Sequence, residues 1–111
     1  MSKCGHQHKT FQARYFELMD GGLTYWKDEQ HYISKVLPRG TVSVIGCEIT
    51  VVEGARDGGY EWFITERGTG RVFKFSNPTL RLRSEWTAAI SHHLQTLAEE
   101  EVWTKSLKLH M

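Results

Sequence analysis

Residues 11–27 read F-Q-A-R-Y-F-E-L-M-D-G-G-L-T-Y-W-K, two apolar-aromatic runs on either side of Asp20-Gly21-Gly22. Strand-forming runs joined by a turn whose glycines accept positive φ predict a β-hairpin. With residues 19–22 as the loop, Leu18 opposes Leu23, Phe16 opposes Tyr25, and Arg14 opposes Lys27. Side chains alternate along a strand, so these six share one face. That face runs from apolar at the turn to polar at its open end, where Gln12 also falls. Like charges set opposite each other destabilise a ladder unless an anion lies between them. The hairpin is therefore expected to contribute a core at one end and, at the other, to meet either solvent or a bound anion.

The following stretches keep the strand character. Residues 41–45, 48–53, 60–66 and 71–76 are rich in β-branched and aromatic side chains. They are separated by Gly46, by Asp57-Gly58-Gly59 and by Arg67-Gly68-Thr69-Gly70. Short strands punctuated in this way predict an antiparallel sandwich or barrel. The period then changes: Leu82, Trp86, Ala89, Ile90, His93 and Leu97 recur at three- and four-residue steps, the stripe of an amphipathic helix. Asn77 is its expected N-cap and Pro78 its first helical residue, with Arg81 and Arg83 turned away from the stripe. The helix is expected to reach about Thr104, leaving 105–111 as a tail. One such helix can close an end of a small barrel with Trp86 and its neighbours. The other mouth, with Arg14 and Lys27, stays open.

Length and charge bound what this fold can do. A chain of 111 residues has room for one core, and 40% hydrophobic with 24% charged residues is ordinary globular composition. A net charge of +1 gives no general attraction to nucleic acid or membranes, so electrostatic function must come from local clusters. Cys4 and Cys47 lack paired spacing and read as thiols of a reducing compartment. No apolar run approaches the length of a membrane span, and M-S-K-C-G-H-Q-H carries no signal-peptide core. A cytoplasmic protein, with peripheral membrane contact at most, is the expectation. Cys4, His6 and His8 supply three local metal ligands where zinc takes four, and nothing places Cys47 or His110 beside them, so neither metal nor cofactor is expected. Gly68-Thr69-Gly70 lacks the helix and Lys-Ser/Thr of a phosphate loop. No nucleophile or carboxylate pair has a visible partner, so no enzyme is expected.

Taken together, F-Q-A-R-Y-F-E-L, D-G-G-L-T-Y-W-K-D-E, P-R-G-T-V and the helix tryptophan in S-E-W-T-A-A-I resemble a pleckstrin homology (PH) domain, over roughly residues 3–97. The resemblance implies a PH-like antiparallel barrel or sandwich of about seven strands, the first truncated, capped by the C-terminal helix and spanning residues 1–104. It also implies a site for phosphoinositide headgroups. Lys3 falls at the family's first-strand lysine, Arg14 at the second-strand arginine, Tyr25 and Arg39 at third- and fourth-strand phosphate contacts, and Lys9 in the loop over the headgroup. Lys27 lies beside them. Arginine gives phosphate bidentate donors and lysine a mobile point charge. His6 and His8 would gain charge near an acidic surface, so affinity is expected to rise as pH falls.

The sequence departs from the family's pattern at Gln12, which stands where phosphoinositide binders carry a basic residue. It departs again in a first strand that lacks the apolar run normally preceding the position of Lys3. A protein-interaction or adaptor module on the same scaffold is therefore the alternative function. Its surfaces would be the exposed first-strand edge, open to a partner or a second copy, and the tail around Trp103.

Overall fold

The computed structural model describes residues 1–4, 11–56 and 58–109, the side chains of residues 100–109 excepted. Along these run β1 (Ser2–Cys4), β2 (Gln12–Ala13), β3 (Tyr15–Met19), β4 (Gly22–Trp26), α1 (Glu29–Ile33), β5 (Gly40–Ser43), β6 (Glu48–Val51), β7 (Tyr60–Thr65), β8 (Val72–Asn77) and α2 (Leu80–Leu109). The strands form two antiparallel sheets, ordered β2-β1-β8-β7-β6 and β3-β4-β5. This is the expected architecture, mainly β with a C-terminal helix. β2 and β3 are one run that changes sheet at Arg14, whose amide donates to the Met1 carbonyl at 3.0 Å. A strand that turns a corner in this way serves both sheets of a sandwich.

The hairpin has the register that its turn demands. Leu18 faces Leu23 and Phe16 faces Tyr25, with Met19 and Gly22 closing the loop. Asp20 and Gly21 both take positive φ, 51° and 74°, as a two-residue turn that matches the strand twist requires. The ladder ends at Tyr15 and Trp26. Arg14 and Lys27, expected as an opposed pair, lie outside it, because Arg14 is engaged by Met1.

Inward residues of both sheets, Phe16, Leu23, Val42, Trp62, Ile64 and Phe75, make the core with Val44, just past β5, and Ile90 of the helix. Trp62 stacks on Phe75 at 4.6 Å and donates its indole N–H to Asn77 Oδ1 at 2.9 Å. Asn77 therefore ends β8 as a buried acceptor and is not the helix cap. Thr79 caps instead, its hydroxyl accepting from the Leu82 amide at 3.2 Å.

The inner face of α2 is also rotated from the expected one. Ile90 is fully buried and Trp86 packs edge-on against Phe16, while Leu82 and Ala89 face solvent. Arg83 turns inward, its Nη1 donating to the carbonyls of Val52 at 2.6 Å and Glu61 at 3.2 Å. The Glu61 carbonyl also accepts from the Val52 amide at 3.1 Å, so Arg83 is a second donor there and, among the described residues, the donor to the half-buried Val52 carbonyl. His93 Nε2 accepts the Gly21 amide at 2.9 Å and ties the helix to the hairpin turn. The backbone stays helical past Thr104 to Leu109, where a tail was expected. Among the described residues, no helix is long and apolar enough to cross a membrane.

β1 is short but has neighbours on both sides. Lys3 faces Gln12 of β2 and Phe75 of β8, and Ser2 faces Ala13 and Ser76. The open first-strand edge, expected as a docking surface, is thus occupied over these residues.

Candidate functional site

Lys3 sits opposite Phe75, a core residue, and its side chain follows the same face inward. Only 8% of the residue is exposed. Its ammonium lies 4.6 Å from the centre of the Tyr25 ring and 5.4 Å from that of Phe73. Ring faces attract a cation but do not neutralise it. Among the described residues, the ion pairs are His31–Asp28 and Arg81–Glu85, and neither involves Lys3. Every fully enclosed side-chain nitrogen or oxygen among those residues has a partner, so the Lys3 ammonium, which lacks one, ends at the surface. Among the described residues, the Lys3 charge is thus met only by ring faces and water.

The neighbouring side chains are positioned by the strands around it. Gln12 is the partner of Lys3 across the β1–β2 ladder. Its Oε1 accepts from Arg14 Nη2, and Arg14 Nη1 donates to the Ala13 carbonyl at 2.9 Å. Gln12 is therefore more than a missing charge: it orients the Arg14 guanidinium and keeps its own NH2 as a donor. Tyr25 lies across from Gly40, where an added Cβ would stand 2.8 Å from the phenol oxygen. The lack of a side chain at Gly40 is what lets the ring lie there. The Arg39 amide donates to the Tyr25 carbonyl at 2.8 Å, which fixes the backbone of that exposed arginine beside the tyrosine.

Lys3, Arg14, Tyr25 and Arg39, four of the expected site residues, are thus linked in series by register, hydrogen bonds or ring contact, Arg39 through its backbone. Lys27 is exposed just past the end of β4, and no described contact joins it to the other four. Lys9 lies outside the described residues, as do His6, His8 and His110. Among the described residues, no three His, Cys, Asp or Glu side chains gather as a metal site. Burial pushes the Cys47 thiol up from its ordinary pKa, which leaves it a poor nucleophile.

The connection from β4 to β5, read from sequence as polar linker, proves to be a capped helix bordering this mouth. Asp28 Oδ1 accepts the His31 amide at 2.9 Å and lies 2.5 Å from His31 Nδ1. These two hydrogen bonds, the ring contact foremost, hold the Asp28 carboxyl below its usual range. At the other end, Lys35 takes φ 59°, and the amides of Lys35 and Val36 return to the carbonyls of Tyr32 and His31 at 3.1 and 3.0 Å. This is a Schellman closure with lysine in place of the usual glycine. Trp26 Nε1 donates to the Val36 carbonyl at 3.0 Å, and Tyr32 packs against Tyr15 and Trp26 at 4.6 and 4.9 Å. The signal for this helix was present in the sequence as Asp28, an N-cap residue just before a short helical run.

Residues 1–95 match the family model described as PH domain. Comparison with curated proteins gives no match.

Proposed function

The chain belongs to the PH domain family, and from that premise we propose that its open mouth binds the phosphorylated headgroup of a phosphoinositide and so brings its host protein to a membrane. Domains of this family are modules for membrane or protein interaction and are generally non-catalytic. The observation that carries the finer reading is the Lys3 ammonium, held between two ring faces with no described counter-anion. In this reading a phosphate supplies that missing charge. Arg14, oriented by Gln12, gives a bidentate fork, while Tyr25 donates its hydroxyl and Arg39, tied to Tyr25 through its backbone, adds a further cation. Lys27, exposed past the end of β4, and Lys9, outside the described residues, are carried over from the sequence as further cations for the headgroup.

A net charge of +1 gives little general pull toward anionic lipid, so recognition rests on clustered phosphates. Gln12, which puts a neutral group where a cation would strengthen binding, favours the second reading, a protein-interaction module with weak lipid affinity. Co-sedimentation with vesicles holding each phosphoinositide in turn, or phosphatidylserine alone, separates the two. Selective binding that Arg14→Ala abolishes supports the headgroup site. Binding to no phosphoinositide, by either protein, discards it in favour of a protein partner.

A further inference from the structure

The turn end of the hairpin carries an apolar surface that neither the core nor the headgroup site uses. Ile45, in the connection from β5 to β6, is 60% exposed, and Met19, at the end of β3, is 49% exposed. A methyl built on Gly21 would stand 2.6 Å from Ile45 Cδ1 and 3.6 Å from Leu97 Cδ1. A side chain of α2 and one of the β5–β6 connection therefore meet over the turn. Leu97 is half-buried, and Ala98 beside it is exposed. Single exposed apolar residues are common on soluble proteins, but a group drawn from three elements onto one spot marks a surface for a partner. Its backbone is fixed from two sides: the Gly21 amide donates to His93 Nε2 at 2.9 Å, and the Val44 amide donates to the Gly21 carbonyl at 3.0 Å.

Charge indicates the occupant. Asp20 is exposed between Met19 and Gly21, and residues 17–24 hold Glu17 and Asp20 and no Lys or Arg. Past Leu97, α2 continues as Glu99-Glu100-Glu101, and residues 94–101 hold no Lys or Arg either. Neither Asp20 nor Glu99 belongs to an ion pair among the described residues. A cation, Arg67, stands at the edge, its stem filling the space that a Gly46 side chain would need. Carboxylates around an apolar patch repel the phosphates of a bilayer, and they repel a second copy set patch to patch. They suit an apolar face flanked by lysine or arginine. We propose that Met19, Ile45 and Leu97, with Asp20 and Glu99, dock a cationic amphipathic segment of a partner protein. The surface lies four ladder steps, roughly 13 Å, from the Tyr15–Trp26 end of the hairpin, so a headgroup at the mouth leaves it free. The proposal goes beyond the headgroup reading and stands without it.

The probe is a synthetic peptide of about 16 residues patterned as an amphipathic helix, leucine on one face and lysine on the other. One control replaces every lysine with glutamate, and a second scrambles the order so that no apolar face forms. Binding to the wild-type chain is followed at physiological salt by fluorescence anisotropy, and its location by backbone-amide NMR. The cationic amphipathic peptide should bind saturably, with shifts centred on Asp20, Gly21, Ile45 and Leu97, and neither control should bind. Met19→Ser/Ile45→Ser should weaken binding about ten-fold or more. Asp20→Asn/Glu99→Gln changes two exposed charges, and asparagine accepts the positive φ of Asp20, so its thermal melt should match wild type. It should bind the peptide several-fold more weakly and with a flatter salt dependence, a readout that survives even if loss of Ile45 loosens the turn. Absence of binding, equal binding by the scrambled control, or shifts centred elsewhere overturns the proposal. So do variants that bind as tightly as wild type. A wild-type dimer in sedimentation that Met19→Ser/Ile45→Ser turns to monomer overturns it in favour of a second copy.

Discussion

Replacing Lys3 with methionine separates what this residue does for the fold from what it does for binding. Methionine keeps the unbranched stem that packs on Phe73 and Tyr25 and removes the ammonium. The folded protein then loses two cation–π contacts, each worth about 0.5–1 kcal/mol and up to about 2 where water is excluded. Against this, it no longer has to strip most of the water from a charge with no described counter-ion, and the penalty for complete burial of an ion is several kcal/mol. The ammonium still reaches solvent, so only part of that penalty is relieved, and the two effects nearly cancel. Stability is expected to stay within about 1 kcal/mol of wild type, a change in melting temperature of no more than about 4–8 °C for a domain of this size. Headgroup affinity should meanwhile drop by one charge-assisted contact of about 1.5–3 kcal/mol, roughly ten- to hundred-fold. Chemical denaturation and calorimetric titration with a soluble inositol phosphate read the two effects separately. A loss of about 3 kcal/mol in stability with affinity intact would refute the reasoning and make Lys3 a structural cation.

Other perturbations test neighbouring parts of the account. Gly40→Ala places a methyl 2.8 Å from the Tyr25 phenol oxygen, so the ring must move, and headgroup affinity should fall several-fold while the far-UV circular dichroism stays native. Arg83→Met keeps the stem but takes the charged donor from the Val52 carbonyl, while the Glu61 carbonyl keeps the Val52 amide; denaturant titration should show a loss of about 1–3 kcal/mol, with headgroup affinity unchanged. The Asp28 carboxyl is held below its ordinary value, so its support of α1 is full above about pH 4 and is lost as pH falls through the depressed value. The protection factor of the His31 amide, its exchange rate taken relative to the intrinsic rate at each pH, should accordingly fall on acidification from about pH 6 to 3, whereas a constant protection factor would remove Asp28 as the cap that matters.

How far the sequence could be read depended on whether each residue's partners were local. The hairpin register was legible because turn chemistry at Asp20 and Gly21 and the alternation of Phe16, Leu18, Leu23 and Tyr25 act within a dozen residues. Where the ladder stops was not, since that is decided by the Met1 carbonyl meeting Arg14. Asn77 carried a sound N-cap signal that lost to a more distant claim, the buried indole of Trp62. Arg83 reads as a surface residue on any helical wheel; its acceptors lie 31 and 22 residues away and exist only once β6 and β7 have paired.

The site divides along the same line. Lys3, Arg14, Tyr25 and Arg39 were named from the resemblance to PH domains, but the way they are held was hidden. Lys3 is buried because its strand pairs with Phe75, and Gln12, which in the sequence looks like a lost contact, supports Arg14. The rigid loop carrying Ile33, Val36 and Leu37 was also missed. Its order comes from the Trp26 indole and the Tyr15–Tyr32 contact, neither of which a polar linker reading includes.

The proposal that the mouth around Lys3 binds an anionic headgroup is tested most directly by a backbone-amide NMR titration of the wild-type chain with a soluble inositol polyphosphate. The account predicts saturable shifts centred on Lys3, Gln12, Arg14, Tyr25 and Arg39, with Arg83 and the rest of its clamp unmoved. Saturable shifts centred elsewhere, or none at millimolar ligand, would contradict it.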